Sequence, residues 1–488
     1  MSIALENCEP AALRHRMLLW LAVPAGIGVF VLLANGRRSI LLIFGLAAIG
    51  GLAWMIRRIS LDASWLIFAL ILEETFPYLN ILPFDPNSRW WIRYPILLSL
   101  CLAVIPAVWR SGILKKGFIF GYVVFLGWAA VSIAYSQNRD LSAGRLLPNI
   151  FLFCGLAFIA SKVQRLEDVQ QVLKRFLIGC SVLVALNLIA WGLPVTVAPE
   201  GEPNAIGVYT WMADPAGVLR FCGFFGQPNA IGSLMFSTVC AGLVYWRTAQ
   251  GWSRWLIAIA MAASIFLASL ADSRSSFVGV AVGIAAFTVW KYRFRGFLML
   301  LAVLVLLAGI YSGLNRGERT YFNRDVNTFT GRTTLWNFEL TKLAESPLLG
   351  YGYDIEGGLF EDRYFPDWTA SYAELHNTYL SVAISVGVPA LVFWLFVTLS
   401  PWAALFRGHF EDDWRLKPMF FLVVLPALVV GAVESGLAEP RYPEGLLIFL
   451  CWFLAERYRL AARAEEKSRH FNLVGLSGRV DFERLLAN

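Results

Sequence analysis

Residues 254–290 read RWLIAIAMAASIFLASLADSRSSFVGVAVGIAAFTVW. Two apolar runs, 254–271 and 275–290, close around a short polar patch, Asp272-Ser273-Arg274-Ser275. Each run is long enough, or nearly so with its flanking aromatic residues, to cross a hydrocarbon core of about 30 Å as a helix. Backbone N–H and C=O groups find no water there, so a spanning segment must satisfy them internally, as a helix does. The patch is either a tight turn between two spans or a break within a longer hairpin.

The same alternation extends in both directions. Apolar stretches lie near 17–34, 39–56, 62–79, 94–109, 117–135, 146–161, 174–192, 227–246, 254–271, 275–290, 296–314, 377–399, 418–435 and 443–458, with Glu73 and Glu74 interrupting the third. The expected architecture is therefore an all-α polytopic membrane protein of about fourteen transmembrane helices. Composition agrees: 58% of the 488 residues are hydrophobic and 15% charged, with a mean hydropathy of +0.61. Soluble domains carry roughly 25% charged residues. The net charge of +7 resides in short groups beside helix ends, such as Arg57-Arg58, Lys115-Lys116 and Lys291 to Arg295. That is a topology signal and excludes a nucleic-acid footprint. Seven scattered cysteines without a CxxC pair argue against a disulfide framework or a zinc site. Arg14 and Arg16 before Met17–Ala34 read as an uncleaved first anchor.

Orientation follows from lysine and arginine. With the N-terminus inside, short cytoplasmic loops hold 17 basic residues and short outer loops 9, and of eight lysines only Lys342 falls outside. The bias predicts both termini in the cytoplasm. Residues 1–314 then hold the first eleven spans, 315–376 form a long outer loop, 377–458 hold the last three spans and 459–488 a charged cytoplasmic tail. The long loop contains one helix candidate, Arg332 to Glu345, with Leu335, Trp336, Leu340 and Leu343 largely on one face. Pro347 ends it, and Gly350 and Gly352 form the following turn. This helix is expected to lie on the bundle at the membrane surface.

The same topology sorts the polar residues. Of four histidines only His376 stands outside, in Glu374-Leu-His376-Asn377-Thr-Tyr379-Leu. There it can accept a proton from a hydroxyl near neutral pH; the bland alternative is a surface histidine at a helix start. Arg220 precedes Phe-Cys-Gly223-Phe-Phe-Gly226-Gln-Pro228-Asn229, and Arg274 sits in the polar patch. A guanidinium at membrane depth costs about 2.5–3.5 kcal/mol on insertion scales, so it faces a partner or a wet cavity. Its planar fork suits phosphate oxygens. For Arg274 the alternative is snorkelling beside Asp272, and for Arg145 an interfacial anchor. Glu434 and Glu439 flank a short outer turn with Arg441, which reads most simply as an ion pair. No DxD, HExxH or phosphate-cradling glycine loop occurs, so a metal-dependent nucleotide-sugar enzyme has little support.

Together these segments resemble the O-antigen ligase and Wzy-type polymerase family of bacterial polysaccharide membrane glycosyltransferases. Three features carry the resemblance: Arg220 to Asn229 leading into a helix, the Ser273-Arg274 turn, and a late block. The block comprises Gly331-Arg332-Thr-Thr-Leu-Trp336, Ser346-Pro-Leu-Leu-Gly350-Tyr-Gly352, His376-Asn377-Thr-Tyr379-Leu and Val386-Gly387-Val-Pro389. The resemblance implies a GT-C-like helical enzyme of the bacterial inner membrane whose long periplasmic loop completes its site. It implies glycan transfer from undecaprenyl diphosphate to an acceptor hydroxyl, with inversion and without metal or cofactor. His376 would be the catalytic base, and Arg220 and Arg274, with Arg145, would hold the diphosphate. Asn229, Arg332, Asn377 and Tyr379 are weaker substrate-binding candidates. The acceptor would be another glycan or lipid A–core. The extra helices and the aromatic, acidic stretch at 353–375 favour a polymerase over a ligase by a narrow margin. Protein O-glycosylation and a non-enzymatic flippase are the competing readings. A flippase is expected to carry polar residues through the middle of several helices, whereas here they gather at the outer ends.

Overall fold

The computed structural model describes residues 66–68, 70–71, 86–163, 166–197, 210–213, 219–246, 248–296, 298, 332–355, 376–406, 416–434, 437 and 443–457. The expected spans at 17–34 and 39–56, the charged tail, all of 296–314 but residues 296 and 298, and most of 62–79 lie outside these residues. So do 315–331 and 356–375 of the long loop.

The described chain is mostly helical. In order it forms α1 (Pro86–Arg110), α2 (Gly117–Ser132), α3 (Arg139–Lys162), α4 (Leu166–Gly192), strands β1 (Trp211–Ala213) and β2 (Leu219–Phe221), α5 (Pro228–Trp246), α6 (Trp252–Leu270) and α7 (Arg274–Tyr292). The later elements are α8 (Arg332–Glu345), α9 (Thr378–Val386), α10 (Val388–Phe406), α11 (416–430) and α12 (443–457). Among the described residues six helices are long and apolar enough to cross a membrane, α2 to α7, and shorter apolar helices run through Leu97–Arg110, Val388–Ala403 and Lys417–Val430.

Three local expectations are settled or corrected. The patch at 272–275 is a tight turn: α6 stops at Leu270, Asp272 takes φ +48°, and α7 starts at Arg274. The expected single span at 377–399 is two helices, broken at Gly387 (φ +90°). The turn after α8 wedges into that break, where the Leu348 carbonyl would lie 2.0 Å from a Cβ on Gly387 and Val388 N–H bonds the Pro347 carbonyl. The fold is also not purely helical. The segment between α4 and α5 holds an antiparallel hairpin pairing Trp211 with Phe221, Met212 with Arg220 and Ala213 with Leu219. Within α11, Pro426 has no N–H for the Leu422 carbonyl, and the ladder widens so that Leu425 N–H reaches Phe420 five residues back.

The core is organised around α12. From Leu446 to Ala455 every residue is buried. Rings from four directions close on it: Phe118 of α2 meets Trp452 and Phe453, Tyr122 meets Phe449, Phe153 of α3 meets Phe453, and Trp394 of α10 meets Trp452. Centroid separations of 5.1–6.4 Å at tilted or edge-on angles are the arrangements ring quadrupoles favour. At one end of α12, Arg457 Nε donates to the Val163 carbonyl. The opposite end of the bundle gathers the C-termini of α2, α4, α6 and α11 and the N-termini of α3, α5, α7, α9 and α12. Lys115, Lys116, Lys162, Lys174, Lys291 and Lys417 all lie toward the Arg457 end, and Lys342 on α8 lies toward the other.

The segment 350–352 is tied to α9 by Tyr351 N–H to the Ile384 carbonyl and Gly352 N–H to the Ser385 carbonyl. Gly350 has φ +68°, and a Cβ there would meet the Ile384 carbonyl at 2.3 Å. Gly350→Ala is therefore expected to destabilise the protein by about 1–3 kcal/mol, from overpacking and left-handed strain. Gly127→Ala in α2, with nothing within 4 Å of its Cβ, is expected to leave stability unchanged. Thermal unfolding of the two variants in the same detergent measures the difference.

Candidate active site

Arg220 projects from β2 across the α6–α7 turn. Its Nε donates to the Ala271 carbonyl at 2.9 Å, and Nη2 to the Asp272 carbonyl and Asn229 Oδ1, each at 3.3 Å. One guanidinium thus joins the hairpin, the start of α5 and the end of α6. Arg274, two residues beyond Asp272, forks onto its carboxylate with Nε at 3.3 Å and Nη2 at 3.5 Å. This pair is open to solvent, 37% for Arg274 and 25% for Asp272, so its contribution to stability is small. The turn is seated on α5 at Gly232, where a Cβ would fall 1.9 Å from Ser273 Oγ. Only glycine permits that approach. Cys222, beside Arg220, is buried, and desolvation pushes its thiol up to about 12, which leaves it inert as a nucleophile.

The helix that begins at this turn, α7, packs on α11, where a Cβ on Gly279 would fall 2.8 Å from Val430 Cγ2, and the imidazole stands at the end of α11. His376 has φ +48°, and its Nδ1 stands 3.2 Å from Glu434 Oε2, with the two side chains 20% and 19% exposed. Asn377 caps α9, its Oδ1 accepting from the N–H groups of Tyr379 (3.0 Å) and Leu380 (3.1 Å). Thr378 locks the cap to the end of α11: its N–H donates to the carbonyls of Gly431 and Glu434, and its hydroxyl to the Glu434 carbonyl at 2.8 Å. Tyr379 gives its hydroxyl to the Leu428 carbonyl. Asn377 and Tyr379 thus spend their polar groups on holding the histidine's backbone.

A bridge joins the two halves. Ser233, next to Gly232, accepts the Glu444 N–H at 3.2 Å and hydrogen-bonds its carboxylate. Glu444 in turn lies close enough to Glu434 for their charges to repel. Contacts therefore run from Arg220 through the turn and Gly232-Ser233 to Glu444, and charge repulsion links Glu444 to Glu434, the partner of His376. Glu434 carries the His376 contact; Arg441 and Glu439 lie outside the described residues. Neither Glu444 nor Ser233 is marked by any local pattern in the sequence.

Arg145 occupies a third position. Its Nη1 donates to the Asp354 carbonyl at 2.6 Å and carboxylate at 3.0 Å. Asn149 Nδ2 donates to Tyr353 Oη, the Ser132 hydroxyl accepts Tyr353 N–H and the Ser385 hydroxyl accepts Asp354 N–H. Together these bonds fasten the loop to α2, α3 and α9. Tyr353 is buried in that anchor rather than presented to a ligand. Arg332 begins α8; Tyr364 and Trp368 lie outside the described residues. Among the described residues the non-glycine positions with positive φ are Asp272, Arg293, Asp354 and His376, and all but Arg293 lie at this end. Strained backbone of that kind gathers at functional sites, and Asp and His tolerate it best.

Residues 256–395 match the family model described as O-antigen ligase (Wzy_C). The likeness to that family covers this segment, less than a third of the chain. It spans both Arg274 and His376, while Arg220, Glu434 and Glu444 fall outside it. The chain is also similar to the exopolysaccharide production protein ExoQ of Rhizobium meliloti (strain 1021), 22% identical over 358 residues, covering 68% of this chain and 75% of that protein. Both likenesses are to polysaccharide-assembly proteins, and the six long apolar helices agree with a multi-pass membrane protein.

Arg145→Ala removes the donor of a partly buried pair and is expected to lower stability by about 2 kcal/mol. Because Asp354 loses its partner in the process, the Arg145→Ala, Asp354→Ala double variant should cost less than the two single changes together. Denaturant unfolding of the four-member cycle reads the coupling; additive losses would show that the pair does not anchor the loop.

Proposed function

We propose that this protein transfers a glycan from a lipid diphosphate, undecaprenyl diphosphate, to a hydroxyl of a second glycan at the outer face of the bacterial inner membrane. The observation that carries the reading is the His376–Glu434 pair standing at the same bundle end as the Arg220–Arg274 turn, bridged through Ser233 and Glu444. Outward orientation of that end rests on the lysines, which concentrate at the other end as cytoplasmic residues do.

In this reading the isoprenoid stays among lipid tails while the diphosphate reaches the turn. Arg274, whose side chain is 37% exposed, exchanges Asp272 for phosphate oxygens; Arg220 holds the turn and adds its charge. Cations placed where negative charge builds as the C1–O bond breaks lower the barrier to departure. Glu434 on Nδ1 orients the imidazole and favours the tautomer whose Nε2 accepts a proton. Nε2 takes the acceptor hydroxyl proton as the oxygen attacks the anomeric carbon opposite the leaving diphosphate, inverting it. Glu434 also stabilises the imidazolium that results. Arg145 serves the site by holding the loop at Asp354 and is a positioning residue.

Polymerisation is favoured over attachment to lipid A–core because the relative covering most of its own length is named for exopolysaccharide production. The products of a deletion strain decide it: single repeat units on surface lipid mean a polymerase, and free long chains on the carrier lipid mean a ligase. Purified protein in detergent, given lipid-diphosphate glycan and acceptor, should form product without compartments, which a flippase does not. His376→Ala should abolish product, and near-normal turnover would remove the base assignment. Arg274→Lys keeps the charge but loses the fork, and is expected to slow transfer by tenfold or more, about 1.4 kcal/mol.

A further inference from the structure

Glu339 has no role in the site just described, yet it is the most anomalous carboxylate in the described chain. It lies on α8 one turn after Leu335 and one turn before Leu343, residues that form an apolar seam with Ile384 of α9 and with Tyr351. The residue is 0% exposed, and neither carboxylate oxygen has a hydrogen-bond partner. Replacing it by an aliphatic residue would complete the seam, so its presence there needs a reason.

Among the described residues the ionisable groups around it are otherwise engaged. On α8 itself Lys342 pairs with Glu345 at 2.8 Å. From the turn that follows, Tyr351 gives its hydroxyl to the Lys342 carbonyl and the Glu345 carboxylate, and Asp354 is held by Arg145. From α9, Tyr379 bonds the Leu428 carbonyl, and His376, just before the helix, bonds Glu434. Burial alone acts on Glu339, raising it from 4.5 to about 9. An unpaired carboxylate cannot stay ionised in such a seam, whereas a neutral carboxyl can.

We propose that α8 is a proton-controlled flap, lying on α9 while Glu339 carries its proton and lifting from α9 when Glu339 ionises. The hinge is the Ser346–Pro347 step, because the chain beyond it is fixed to α9 and α10 through Pro347, Tyr351 and Gly352. The sign follows from linkage. Lifted, Glu339 titrates at its ordinary value near 4.5; docked, near 9. Between those values docking takes up one proton, so the docked-to-lifted ratio is greatest below the lower value and falls by up to about tenfold per pH unit until the upper one is passed. The flap is thus closed in acid and released in alkali, whatever chemistry the neighbouring site performs.

Hydrogen–deuterium exchange on the full chain in lipid nanodiscs tests this, at pH 5, 7 and 9 with labelling times scaled to intrinsic amide exchange. Protection of 332–345 should fall with pH in the wild type while α5 at 228–246 stays protected. Glu339→Gln, neutral at every pH, and Glu339→Leu, apolar, should abolish the dependence. Constant wild-type protection would overturn the proposal. So would an equal fall in Glu339→Gln, or loss of α5 protection in step with α8. Because exchange is read without substrate, failure of the transfer assay leaves this result standing.

Discussion

A helix enclosed on all sides constrains everything packed against it, and α12 is such a helix. Its run from Leu446 to Ala455 faces neither lipid nor water, so no residue there can be excused from packing by solvation. Interiors are packed as densely as organic crystals, and one changed volume is felt by several neighbours. The ring contacts with α2, α3 and α10 therefore fix the height and rotation of α12 together. Fixing α12 fixes Glu444 at its outer end, and with it the separation of Ser233 from Glu434. A polar site at the end of an apolar bundle needs a rigid post, and this one is supplied by aromatic packing below it.

At that end the backbone is strained where the polar groups stand. Asp272, Asp354 and His376 all adopt φ +48°, at a cost of about 1–2 kcal/mol each for an ordinary residue. Each is over-determined by bonds around it. Asp272 lies under the Arg220 clamp, Asp354 has Arg145 on its carbonyl and carboxylate, and His376 precedes a cap bonded twice by Asn377 and tied to α11 through Thr378. Residual strain and dense bonding go together because neither conformation nor side-chain direction would otherwise be held. The long loop, which would have to find its place by a weak core of its own, is instead placed by the chain segments on either side of its undescribed middle.

The six long spans among the described residues were legible because hydropathy alone dictates them: 117–135 and 227–246 agree with the helices to within a residue. Breaks inside apolar runs were not, although their markers are present. Gly387 and Pro389 stand at the interruption of 377–399, but a run of Val, Ala, Leu and Phe on both sides outweighs two residues in any hydropathy window. The hairpin at 211–221 was missed for a similar reason. Asp214-Pro215-Ala216-Gly217 is a turn signal, yet strands of three residues show no alternation to speak of. Topology singled out His376 as the outer histidine, and charge singled out Arg220 and Arg274. Their partners were illegible. Glu434 meets His376 across 58 positions and Glu444 meets Ser233 across 211, and no spacing rule reaches that far.

The bridge also explains how labour is divided among the segments. The guanidinium turn belongs to α5, α6 and α7, and the imidazole to α9 and α11. Among the described residues they are joined in two ways: through Ser233 and Glu444 at the start of α12, and by α7 packing directly on α11, where a Cβ on Gly279 would fall 2.8 Å from Val430 Cγ2. The relative placement of turn and imidazole is therefore carried by packed helices, not by the long loop. The described part of the loop, 332–355, is in turn held by the bundle's helices, through Arg145 and Ser132 on one side and Ser385 on the other, so the bundle positions the loop rather than the reverse.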